Sequence, residues 1–126
     1  MPRLTTDSHE ARRNRILKAA RAVIVRDGLR ATTTHAVARA AGVPVGSIYT
    51  YFADKDELVW ASIVAANREE SEAALRNMRA GGTARERLRR ALGDWFAYTI
   101  DEPGVARALS EIWAEAATKP LIRDLV

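Results

Sequence analysis

The stretch AGVPVGSIYTYF, residues 41–52, gathers hydroxyls on Ser47, Tyr49, Thr50 and Tyr51 directly behind two glycines and a proline. Upstream, Thr33, Thr34 and His35 add two hydroxyls and an imidazole, and downstream Lys55 adds an ammonium. Such groups donate and accept hydrogen bonds, which suits holding a polar partner rather than breaking a bond. Catalysis would require a nucleophile beside a base, or a ligand set for a metal. The chain has no cysteine, and its two histidines, His9 and His35, show neither metal-ligand nor nucleophile–base spacing. Glu69, Glu70 and Glu72 read as a solvated charged helix face. The expectation is therefore no enzyme, no catalytic residue, no metal and no cofactor.

Charge says what kind of partner to expect. The 126 residues carry a net charge of +4. Residues 1–50 hold nine Lys/Arg against three Asp/Glu, a net of +6, whereas residues 51–126 hold eleven against thirteen, a net of −2. A basic first half points to a polyanion there, or to an ordinary solvated surface. With 48% hydrophobic and 29% charged residues the composition is that of a globular protein. No apolar run approaches the roughly 18 residues that span a bilayer, and the N-terminus lacks a signal-peptide core, so the cytoplasm is the expected location.

The elements that must position these groups all read as helices. SHEARRNRILKAARAVIVRDG places Ile16, Leu17, Ala20, Val23 and Ile24 at helical spacing, with Asp7 or Ser8 as its cap and Gly28 as its stop. A short second helix follows the threonines at 32–34, turns Val37, Ala38 and Ala41 inward and ends at Gly42. A third runs from Pro44 or Val45 to about Phe52. Asp54 with Glu57, and Thr83 with Glu86, form capping-box patterns that open a fourth helix reaching Arg79 and a fifth carrying Leu88, Leu92, Trp95, Phe96 and Ile100. Pro103 fits the first turn of a sixth helix, whose apolar face comprises Val105, Leu109, Ile112, Trp113 and Ala116. Pro120 starts a last piece. The fold class is all-α, without strand signal or internal repeat.

Within this frame the second and third helices form a specific pattern. Two helices crossing steeply need a small residue where they approach and a glycine in the turn, and Ala38 and Gly42 supply both. Ile48 then packs back on Val37 and Ala41. The pattern is a helix-turn-helix, which presents its second helix to the DNA major groove, or else a generic helical hairpin with a Gly-Pro turn. Replacing Gly42 by valine is expected to combine left-handed backbone strain with a clash between the helices.

GLRATTTHAVARAAGVPVGSIYTYFADKDEL resembles the TetR family of bacterial transcriptional regulators. The shared features are the Thr-Thr opening, the Ala-Gly-Val turn, the Gly-Ser-hydrophobic-Tyr core, Tyr-Phe, and the Lys-acidic-Glu-Leu start of the next helix. The resemblance implies a helix-turn-helix DNA-binding domain over 1–54 and a helical ligand-binding and dimerisation body over 55–126. It also implies a homodimer on near-palindromic double-stranded DNA, acting as a repressor that a small-molecule effector releases. A helical protein-interaction module is the alternative.

Carried over residue by residue, the resemblance places Thr33 and Thr34 against phosphate and His35 at a base edge. Ser47, Tyr49 and Lys55 also take phosphate roles, Lys55 beside a helix N-terminus. Tyr51 either reaches phosphate or packs half-buried, and Phe52 is core. Pro44 and Val45 depart from the polar residues common in the family. Reading there falls to apolar contact, such as Val45 on a thymine methyl, to backbone near Gly46, and to Thr50. In the second half Trp95, Tyr98 and Trp113 are the implied ligand contacts, with ordinary core as the competing reading. The family's dimerising helices have no counterpart before Val126. The expectation is that part of the C-terminal body is missing and that the 126-residue chain is largely monomeric.

Overall fold

Six helices connected by short turns make up the computed structural model, which describes residues 6–102 and 104–119, with side chains from residue 8 onward. Among the described residues there is no strand. The expected roles of Pro103, Pro120, Leu121, Ile122, Leu125 and Val126 lie outside those residues. The helices are α1 (Thr6–Asp27), α2 (Thr34–Ala41), α3 (Val45–Tyr51), α4 (Lys55–Arg79), α5 (Ala84–Asp101) and α6 (Val105–Ala116). The chain divides into two compact units, Met1–Ile63 and Val64–Val126, so the division falls inside α4.

The first unit is organised around a small apolar core. Ile16, Leu17, Ala20, Val23 and Ile24 of α1 are buried, as are Val37, Ala38 and Ala41 of α2, Ile48 of α3, and Phe52. These are the positions that the helical spacing selects, because a stripe recurring every three to four residues turns to one side of each helix. At the start of α4, Leu58, Val59 and Trp60 are buried as well. α1 is longer than its capping residues suggest: it already runs at Thr6, so Asp7 and Ser8 lie inside it rather than before it. His9 therefore lies within the first turn or so of α1.

Local signals fix the helix ends. Gly28, at φ 92°, closes α1 with its N–H on the Ile24 carbonyl at 2.8 Å. Gly42, at φ 69°, closes α2: its N–H donates to the Arg39 carbonyl at 3.2 Å while the Val43 N–H reaches the Ala38 carbonyl at 3.0 Å. That double bond is a Schellman motif, and its left-handed residue is the reason for a glycine there. A Cβ at Gly42 would meet nothing within 4 Å, so an alanine there would bring backbone strain without a Cβ clash.

Capping chemistry starts the later helices. The Glu57 N–H donates to the Asp54 carboxylate at 2.9 Å, and the Glu57 carboxylate accepts from the Ala53 N–H at 2.6 Å, one residue earlier than a capping box places it. At α5 the box is complete, with Thr83 and Glu86 each accepting from the other's N–H at 3.2 and 2.8 Å. In the second unit, Arg90 donates to the Ala80 and Gly81 carbonyls just beyond α4, and Asn77 bonds Asp94. Burial there differs from the apolar pattern. No residue of α5 is buried, and Leu88, Leu92, Trp95, Phe96 and Ile100 form an exposed stripe. On α6 the buried residues are Val105, Ala108 and Ala116, while Trp113 is 61% exposed.

Candidate nucleic-acid interface

Three short elements bring the hydroxyls together. Thr33 caps α2, its hydroxyl accepting from the Ala36 N–H at 3.1 Å, which leaves the residue exposed at the helix start. Thr34 follows as the first helical residue and is largely buried. Its Oγ1 lies 3.4 Å from the Tyr49 hydroxyl of α3, fifteen residues on, while Tyr49 itself is 54% exposed. The Schellman turn at Gly42 is what folds α3 back far enough for that contact. Each hydroxyl has one proton, so when one bonds the other, the second proton is still available to an outside acceptor.

The rest of α3 presents a mixed surface. Pro44 is its N-cap and forms no side-chain capping bond. Pro44, Gly46 and Thr50 are exposed, and Val45 and Ser47 are half-buried. Thr50 donates to the Gly46 carbonyl at 3.4 Å, four residues back, which leaves its oxygen as an acceptor toward solvent. His35 is exposed at the start of α2. Lys55 opens α4, and its Nζ donates to the Arg30 carbonyl at 3.2 Å, which ties the ammonium to the α1–α2 connection. The sequence reasoning placed Lys55 beside a helix N-terminus but did not foresee that tether.

Electrostatics favour an anion on this unit. Arg12, Arg13 and Arg15 on α1 and Arg39 on α2 are exposed. Of the three acidic residues before position 51, Asp27 is bonded to its neighbour Arg26, at 2.8 Å from each of two guanidinium nitrogens. The bond, and then the carboxylate charge, push the Arg26 guanidinium further toward its protonated form.

Two contacts escaped sequence reasoning. The His9 ring lies against the Tyr51 ring with centroids 4.5 Å apart and a tilt of 46°, and the Arg13 guanidinium sits over the Phe52 ring, 5.2 Å from its centroid. Tyr51 is thus a half-buried packing residue, one of the two readings its position allowed. No local signal could have revealed these pairs, because their partners are some forty residues apart in the chain.

The second unit holds the aromatic candidates. Trp95 and Tyr98 lie on α5 and Trp113 on α6. Trp95 is 48% exposed and meets the Phe96 ring edge-on at 5.1 Å, whereas Tyr98 is half-buried. Among the described residues no three His, Asp or Glu side chains gather as a metal site would need, and no helix is long and apolar enough to cross a membrane.

Comparison with known proteins agrees with this geometry. Residues 16–61 match the family described as bacterial regulatory proteins, tetR family. The HTH-type transcriptional regulator BetI of Paraburkholderia xenovorans (strain LB400) is 31% identical over 126 residues, spanning 99% of this chain and 64% of that protein. BetI of Escherichia coli (strain K12 / DH10B) is 30% identical over 127 residues with the same coverage. Among solved structures, a TetR family transcription regulator from Marinobacter aquaeolei VT8 superposes with a TM-score of 0.78 at 26% identity, covering 95% of this chain and 63% of that one. The multidrug binding protein EbrR, complexed with imidazole, superposes with a TM-score of 0.62 at 30% identity, covering 91% and 61%. The chain thus spans 64% of the length of the curated relatives it matches.

Proposed function

Because residues 16–61 match the tetR family of bacterial regulatory proteins, we propose that the chain is a member of that family and a sequence-specific, DNA-binding regulator of transcription, acting in the cytoplasm. Its first compact unit holds operator DNA with α3 in the major groove. The observation that carries this reading is the convergence of the Thr34 and Tyr49 hydroxyls, 3.4 Å apart, across the Gly42 turn. They sit in a segment with a net charge of +6. A phosphate oxygen is the acceptor that such a pair and such a field would attract. Thr33, Thr34, Ser47, Tyr49 and Lys55 then position the backbone, while His35, Thr50, Val45, Pro44 and the backbone at Gly46 face base edges. Positions 1–54 serve DNA and positions 55–126 serve regulation. A protein-interaction module is disfavoured because Tyr49 is the only large hydrophobic side chain left exposed among the described residues of this unit.

The regulatory half of the proposal is repression relieved by a small molecule. EbrR is a multidrug binding protein complexed with imidazole. By analogy, the second unit here takes an effector through Trp95, Tyr98 and Trp113. The full protein acts as a homodimer on a near-palindrome with half-sites about 34–36 Å apart. We assign no catalytic residue, metal or cofactor. Selection of bound fragments from genomic DNA, followed by affinity measurements across a salt series, tests the reading. It predicts enrichment of related sequences and a log–log slope of several counterions. Salt-independent binding, or no enrichment, would overturn it.

A further inference from the structure

The recognition helix α3 is poorly able to hold its own direction. It has seven residues, and Ile48 is the only one buried. A helix of two turns is marginal in isolation, where about 12–15 residues are needed for even modest stability. Its N-cap, Pro44, contributes no side-chain bond. Besides Ile48, α3 is held by the buried C-cap Phe52 and by the Tyr49–Thr34 contact, so the packing around its C-terminal end bears on its direction. At that end Tyr51 and the C-cap Phe52 meet α1, through the His9 ring at 4.5 Å and the Arg13 guanidinium at 5.2 Å. His9 and Arg13 are four residues apart and share one face of α1.

We infer that His9 and Arg13 form a clamp on the C-terminal end of α3 that sets the angle at which its DNA-reading face is presented, which makes both residues positioning residues for sequence discrimination. The inference rests on the reading of this unit as DNA-binding. Phe52 is buried, and the Arg13 guanidinium lies over its ring. Tyr51 is half-buried and has the His9 ring against it, so His9 bears on the less buried half of the clamp. Two residues before Tyr51 lies Tyr49 and one before it lies Thr50, so a tilt at Tyr51 carries directly into both. Phosphate attraction depends weakly on such a tilt, whereas paired hydrogen bonds to a base edge depend on it steeply.

The test compares the full chain with His9→Ala, His9→Phe and Arg13→Gln. Binding is measured on the best selected fragment and on a scrambled one, and hydrogen exchange of the α3 amides is measured without DNA. His9→Ala should lower the ratio of specific to scrambled affinity about tenfold, the effect of one impaired base contact. Scrambled-fragment affinity should stay within about twofold, because phosphate contacts carry that term. The Phe52 amide, bonded to the Ile48 carbonyl at 3.0 Å, should exchange faster. His9→Phe keeps the ring and should restore both readouts, and Arg13→Gln should accelerate exchange at Phe52. Equal loss on both fragments would make His9 a phosphate contact and overturn the clamp. Unchanged exchange and ratio in His9→Ala, or no rescue by phenylalanine, would overturn it too. If the unaltered chain binds neither fragment, the DNA reading fails, and the exchange data still decide whether the clamp exists.

Discussion

A methyl group placed at Gly42 and the same methyl group placed at Gly46 should act in opposite directions. Gly42 sits at φ 69°, ψ 34°, in the left-handed region, whereas Gly46 lies inside α3 with no positive φ. Neither Cβ would meet an atom within 4 Å, so sterics contribute nothing at either site. What remains is backbone preference. An L-residue in the left-handed conformation costs about 1–2 kcal/mol. In a helix interior, alanine is better than glycine by roughly 0.5–1 kcal/mol, an upper bound at Gly46, the second residue of α3. The two melts should therefore separate by about 1–3 kcal/mol, with Gly42→Ala below the parent and Gly46→Ala above it. For a unit of this size, 1 kcal/mol corresponds to about 4–8 °C. Circular dichroism melts of the DNA-free protein, with denaturant titrations to obtain free energies, read both values. The reasoning is refuted if Gly42→Ala melts at or above the parent, since the Schellman turn would then not require its left-handed residue. Gly42→Val should fall further, because a β-branched side chain adds stiffness and two methyls beyond Cβ.

Other expectations follow from the site and the caps. Lys55→Met should weaken binding about equally on all DNA sequences and reduce the salt slope by about one counterion, measured by anisotropy across a salt series. Thr50→Val and His35→Ala should instead relax preference at one or two base pairs at about 1–3 kcal/mol each, read by competition with single-base variants of the selected site. Uniform weakening by His35→Ala would make it a backbone contact. Thr83→Ala should cost about 0.5–2 kcal/mol in denaturant titrations by opening the capping box at α5, without altering DNA affinity.

Much of this architecture was legible because it is local. The Gly28 and Gly42 stops, the Asp54–Glu57 and Thr83–Glu86 starts, and the α4 bounds at 55 and 79 depend on residues within a turn or two of each other. The core stripe of α1 followed from its spacing alone, and so did the burial of Ile48. Reading failed where distance in the chain or competition between surfaces decides. α1 already runs at Thr6, ahead of Asp7 and Ser8, the caps that residue type suggested. The His9–Tyr51 and Arg13–Phe52 pairs need two helices already in place. Apolar spacing on α5 announced a buried face, yet Leu88, Leu92 and Ile100 are exposed, since periodicity says which residues share a side and not what lies opposite. At the candidate interface, residue types marked Thr34 and Tyr49 separately, but their contact emerges only once the Gly42 turn is built.

The three tryptophans divide themselves by solvent, with optical consequences. Trp60 is 8% exposed and lies in the first compact unit, whereas Trp95 and Trp113 are exposed and lie in the second. An indole shielded from water emits toward the blue, and one in contact with water emits toward the red. The blue edge of the intrinsic emission therefore belongs to Trp60 and the red edge to the other two, with iodide quenching the red component first. Each compact unit thus carries its own colour, and the unfolding of one is visible against the other without any attached dye.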